Sequence, residues 1–168
     1  MASLINIGIQ KIELGAVAGD GGMGTTLAAL GYTLEGSAQL NMEDPQETDF
    51  MVEEVDTPIF VSAKLGKITL AFTVADPDED ALVKVFGGTK TGTGSATTWD
   101  FPLTPIVIEN SIKLTPQKGM GFNIPRAKIA AKFTPNIGRA GLLGVEVTAT
   151  ILQPTKPNTP SLSTFRAV

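Results

Sequence analysis

Apolar residues recur at every second position through several stretches of this chain, and that spacing constrains the fold more than any other feature. Ile59, Val61, Ala63 and Leu65 alternate in one phase and Ile68, Leu70, Phe72 and Val74 in the next, with the switch at Gly66-Lys67. A period of two sends successive side chains to opposite faces, so each run reads as a strand with one buried side. The phase switch predicts one long bent strand, or two joined by a tight turn.

The same period appears elsewhere. Ile5, Ile7 and Ile9 alternate with Asn6, Gly8 and Gln10, after which Ile12 and Leu14 carry the apolar face, predicting a bulge near Gln10 and Lys11. Tyr32, Leu34, Ala38, Leu40 and Met42 alternate with Thr33, Glu35, Ser37, Gln39 and Asn41, the pattern of a half-buried antiparallel strand. Further strands are predicted over 99 to 103, 106 to 114, 121 to 133 and 142 to 153.

A single helix is expected over 77 to 86. Asp76 can cap it, Pro77 suits its first position, Glu79 completes a capping-box pattern, and Asp78 and Asp80 favour the positive end of its dipole. Ala81, Leu82, Val85 and Phe86 form its apolar stripe, and Gly87-Gly88 ends it. The glycine-rich stretch from 18 to 31 reads as a flexible loop, and residues 154 to 168, punctuated by Pro154, Pro157 and Pro160, as an extended C-terminal arm. Many strands, one short helix and Gly/Pro-rich turns predict a mainly β fold: an antiparallel β-sandwich or distorted barrel flanked by that helix. At 168 residues the chain fits one domain, assigned to residues 1 to 153, with 154 to 168 as the arm.

Composition disfavours most chemistry. The sequence has no cysteine and no histidine, which removes the thiolate nucleophile, the commonest general base and the commonest zinc ligands. The glycine-rich segment Gly19 to Thr26 lacks the lysine of a phosphate-binding P-loop. Helix capping accounts for the acids between Asp76 and Asp80 without a calcium ion. Glu53 with Glu54, or Asp100 with Glu109, are the carboxylate pairs a glycosidase would need, but no sequence feature sets either pair across a cleft. A non-enzymatic protein with no cofactor is expected. No apolar run approaches the ~18 residues of a membrane span, so no membrane partner is expected either.

Charge placement is more informative than the net charge of −4. Glu43, Asp44, Glu47, Asp49, Glu53, Glu54 and Asp56 lie in one segment without a Lys or Arg, and so form a long acidic excursion. Arg126, Lys128 and Lys132 alternate with Ala127, Ile129, Ala131 and Phe133, which puts three cations on one strand face, with Arg139 in the next loop. If the acidic segment of one copy meets the basic face of the next, the contact is heterologous and generates rings or filaments.

The order of elements, with the stretches VADPDEDALVKVFGGT and GLLGVEVTATILQP, resembles that of the tail tube (major tail) proteins of long-tailed bacteriophages, a fold shared with the tubes of type VI secretion and other contractile injection systems. The resemblance covers the arrangement of residues 4 to 153. It implies a structural subunit of a virion tail, made in the bacterial host cytoplasm. Six copies would form a ring, and rings would stack into a tube that contacts other tail proteins. DNA would pass through without specific binding, and acids facing the lumen would repel its phosphates. The family's long loop between the second and third strands would correspond to residues 41 to 58. A monomeric β-sandwich binding module, for an adhesin or carbohydrate role, another phage head–tail or tail structural protein, and a secretion-tube protein are the alternatives.

Overall fold

The alternating runs pair as antiparallel strands, and a computed structural model describes residues 5–167. The strands are β1 (Ile7–Ala16), β2 (Ala28–Ala29), β3 (Tyr32–Thr33), β4 (Gln39–Met42), β5 (Gln46–Val52), β6 (Val55–Lys64), β7 (Ile68–Ala75), β8 (Thr89–Thr91), β9 (Thr98–Asp100), β10 (Ile108–Phe133), β11 (Gly144–Ile151) and β12 (Ser163–Ala167). Helix α1 (Glu79–Phe86) follows β7, and a short 3-10 turn, Gly94–Ala96, separates β8 from β9. The main sheet runs β2-β1-β10-β11-β7-β3, with β12 also on β10 and β4 also on β7; β5-β6 and β8-β9 form separate pairs. It is antiparallel and is not closed into a barrel, consistent with a sandwich.

The 26 residues of β10 cannot lie straight. Ser111 Oγ donates to the Pro125 carbonyl at 2.6 Å, and Arg126 pairs with Glu109 at 2.7 Å. An extended strand would hold residues fourteen apart roughly 45 Å from each other. The strand therefore doubles back near Gln117 to Gly119, where Gly119 adopts φ +111°, a backbone state that L side chains rarely take. The Asn6 side chain caps this turn by accepting from the Met120 N–H at 2.6 Å. One limb pairs with β1 and the other with β11 and β12.

The bulge expected near Gln10 and Lys11 is present: the β1–β10 register slips between Ile9 and Lys11, which keeps Ile12 and Leu14 buried. With Phe72, Val74, Ile112, Ile124, Val145 and Val147 they form the core. Helix α1 adds Ala81 and Val85 to it, and Asn110 Nδ2 donates to the Lys84 carbonyl. Its N-cap is Asp78, which accepts from the Ala81 N–H at 2.7 Å; Asp76 instead turns the chain at φ 50°, and Pro77 lies outside the helix. With Asp78 as cap, Glu79 is the first helical residue and so makes no capping box. Gly87 ends the helix as expected.

Three further expectations are corrected. The strand expected over 31 to 42 is interrupted: after β3, residues Leu34 to Ser37 turn, with Ser37 Oγ donating to the Leu34 carbonyl and accepting from the Thr73 N–H, before β4 resumes on β7. Tyr32 and Met42 are exposed as a result. The glycine-rich stretch is pinned rather than free. Gly24 N–H donates to buried Ser111 Oγ at 2.8 Å, Asp20 pairs with Lys156 at 2.7 Å, and a Cβ on Gly24 would run into the Ala16 carbonyl. The C-terminal arm ends as β12, paired with the turn end of β10 from Gly119↔Ala167 to Asn123↔Ser163.

Candidate assembly surfaces

Residues 46 to 64 form a β-arm that extends the β4–β7 hairpin. Met42 pairs with Ile68, the Glu43 N–H donates to the Lys67 carbonyl, and Gln46 pairs with Lys64, so one register runs through from the sheet into the arm. The sequence reading made residues 41 to 58 a loop; they are instead the end of β4, all of β5 and the start of β6. Where the arm leaves the body, Gly66 lies so close to the Glu43 carbonyl that a side chain there has no room.

Every residue of β5 and β6 is exposed. The arm nevertheless carries Phe50, Met51, Val52, Val55, Ile59, Phe60 and Val61. Phe50 and Phe60 face each other across the two strands, with ring centroids 5.7 Å apart. That pair is the arm's main internal packing, and a two-stranded hairpin without a third layer is marginal in water.

The acidic residues predicted to act in assembly all belong to this arm or its root. Glu43 and Asp44 stand at the root, Glu47 and Asp49 on β5, Glu53 and Glu54 at the tip, and Asp56 on β6. Adjacent like charges at the tip keep it in water, while the flanking strands are apolar. Glu53 and Glu54 are exposed in the turn between β5 and β6.

The basic face is largely neutralised by neighbours. Arg126 makes a two-pronged contact with Glu109, at 2.7 and 3.0 Å, and donates to the Gln153 carbonyl at 3.2 Å. This hydrogen-bonded guanidinium holds the Glu109 carboxyl below its ordinary range, the reverse of what a catalytic acid requires. Lys132 pairs with Glu146 at 2.7 Å. Lys128 is exposed on the same strand, and Arg139 lies beyond it in the 134 to 143 loop, beside Ile137 and Leu143. No group of three or more acidic side chains is placed to hold a metal ion among the described residues.

Two surfaces escaped the sequence reading. The first is an apolar patch at the opposite end of the sheet from the arm. β7 carries the arm at its Ile68 end, whereas its Ala75 end pairs with Gly144 and leads into α1. There Phe86 stacks on Phe133 at 4.8 Å, Trp99 and Phe101 pack against Phe86, and Trp99 Nε1 donates to the Gly87 carbonyl. Beyond this cluster Leu103, Ile106, Val107, Ile137 and Leu142 are exposed. The second is a cleft of about 750 Å³ near the root of the arm, between the start of β1 and the segment 33 to 40. It is lined by Ile7, Ile9, Leu34, Leu40, Leu114 and Phe122. No family model and no curated protein sequence matches this chain.

Proposed function

We propose that this chain is a structural subunit that assembles with copies of itself, as rings stacked into a tail-tube-like conduit for DNA, and performs no chemistry. The observation that carries this reading is the arm: two strands in which every residue is exposed, bearing seven large apolar side chains that no described residue covers. Isolated exposed apolar residues are ordinary, but a contiguous set on an unsupported hairpin marks a contact surface. The exposed patch around Phe101, Leu103 and Ile137 lies at the other end of the body, so the molecule has unlike sticky poles. Contacts between unlike surfaces are heterologous and build rings or fibres rather than closed pairs. The resemblance in element order to phage tail tube proteins selects the ring-and-tube form among these.

The test is negative-stain electron microscopy with light-scattering mass across a concentration series. Rings or hollow tubes are expected, lost when Gln46 to Lys64 are replaced by a short turn. A single monomer mass at every concentration overturns the proposal. The cleft favours one second reading, a monomeric binding module, whose signature is saturable binding of a small ligand without assembly.

A further inference from the structure

The cleft beside the arm's root has the features of a strand-accepting slot. β1 is hydrogen-bonded to β10 along one edge, but on its other edge β2 covers only Glu13 and Leu14. Residues Ile7 to Ile9 line the cleft, and among the described residues no strand pairs with their second edge. β4 likewise pairs with β7 alone, so its second edge is open on the facing wall. The turn at Leu34 to Ser37, held by the Ser37 hydroxyl, forms part of the cleft wall between these two edges. Between the edges the floor is apolar, formed by Leu70, Leu114, Pro116, Met120 and Phe122. Open edges over an apolar floor are what an added strand requires: backbone partners at the sides and side-chain space beneath.

Charge selects the occupant. Lys118 is the cross-strand partner of Ile7, and Arg166 that of Met120, two residues that line the cleft. Both cations are exposed, and neither makes an ion pair with a described residue. A segment that is extended, bears large apolar side chains and carries acids at its tip and along its strands fits this slot, and the chain contains one: the arm, with Phe50 and Phe60 behind Glu53 and Glu54.

We infer that the cleft receives the arm of a second copy, whose apolar side chains cover the floor while its tip carboxylates meet Lys118 and Arg166. The inference rests on the self-association reading and names the surface through which it proceeds. It places the arm on the β1–β4 seam of the neighbour rather than on the neighbour's α1 pole. The basic strand face of Arg126, Lys128 and Lys132 is not the receptor.

The absence of native cysteine makes the contact directly testable. A Glu53→Cys chain is mixed under oxidising conditions with a Gln117→Cys chain and, separately, with a Leu103→Cys chain, at concentrations where the unaltered protein assembles. Mixed disulfides are expected with Gln117→Cys and not with Leu103→Cys, because a disulfide forms only when the two Cα atoms come within about 7 Å. Trapping by Leu103→Cys instead, or by neither while light scattering still reports assemblies, overturns the cleft as receptor and leaves self-association standing. A single monomer mass throughout removes both. As a second arm, Lys118→Glu with Arg166→Glu is expected to weaken association about tenfold or more, with recovery when mixed with Glu53→Lys, Glu54→Lys chains. No recovery in that swap overturns the charge pairing.

Discussion

One register runs unbroken from Gln39↔Ala71 in the sheet to Phe50↔Phe60 in the arm, yet β7 in the body and β6 in the arm differ in everything except hydrogen bonding. In the body half, Leu70, Phe72 and Val74 are buried against β11, β1 and α1 side chains. In the arm half, Phe60 occupies an equally regular strand and is 62% exposed, against 2% for Phe72. The backbone ladder is therefore not what distinguishes a stable strand from a dependent one. The difference is a second layer: the body half lies beneath one, and among the described residues none covers the arm.

Substituting the same residue type on each half breaks this comparison most directly. Phe72→Ala is expected to cost about 4 kcal/mol in denaturant unfolding, through lost burial plus the cavity left behind. Phe60→Ala is expected to leave the unfolding midpoint of dilute protein nearly unchanged and to reduce assembly at high concentration. A large loss of monomer stability from Phe60→Ala would show that the arm is internally supported after all.

The next effect sharpens the contrast between segments that look mobile and segments that are. Ser111 is fully buried and its hydroxyl links the glycine-rich stretch to both limbs of β10. Ser111→Ala strands the Gly24 N–H and the Pro125 carbonyl, and a loss of about 2 kcal/mol is expected, with faster amide exchange at Gly24. Unchanged exchange there would mean that the glycines are held by something other than this serine.

Smaller again is the helix cap. Asp78→Ala is expected to lower stability by about 1 kcal/mol, whereas Asp76→Ala lacks the capping loss; thermal unfolding of the two variants separates them. The smallest effect concerns pH. Because Glu109 is depressed in the folded state by Arg126, its contribution is present above the ordinary carboxylate pKa and fades as pH falls through the lowered value. Arg126→Ala should return the Glu109 titration to the ordinary range, read by carboxyl NMR, and blunt that acid limb slightly, since the pair is partly open to solvent.

Local pattern revealed the elements whose causes are local. The β1 bulge shows as a phase change between Ile9 and Ile12, and the helix stop as Gly87-Gly88. The helix starts two residues later than its sequence suggests because Asp76 and Asp78 flank Pro77 and both suit a cap; backbone torsions choose the second. Gln46 to Val52 carry no alternation, and they become a strand because β6 pairs with them in a register inherited from β4 and β7. The glycines from Gly19 to Gly24 were ambiguous for a chemical reason, since a missing side chain serves close approach as well as freedom. The acidic side of the candidate surface was visible as a charge run. The cleft gathers strands far apart in sequence, and the Glu109–Arg126 and Lys132–Glu146 pairs form because β10 doubles back on itself and then pairs with β11.

The crowded Gly66 beneath the arm has a mechanical consequence. Ten residues of β6 span roughly 30 Å, so a tilt of roughly 10° at the root swings the tip by roughly 5 Å, the spacing of one strand in a sheet. A side chain at Gly66 would push on the Glu43 carbonyl and act as a wedge at the fulcrum. The aim of the lever is thus set by a single atom's clearance at its pivot, far from any surface the tip touches.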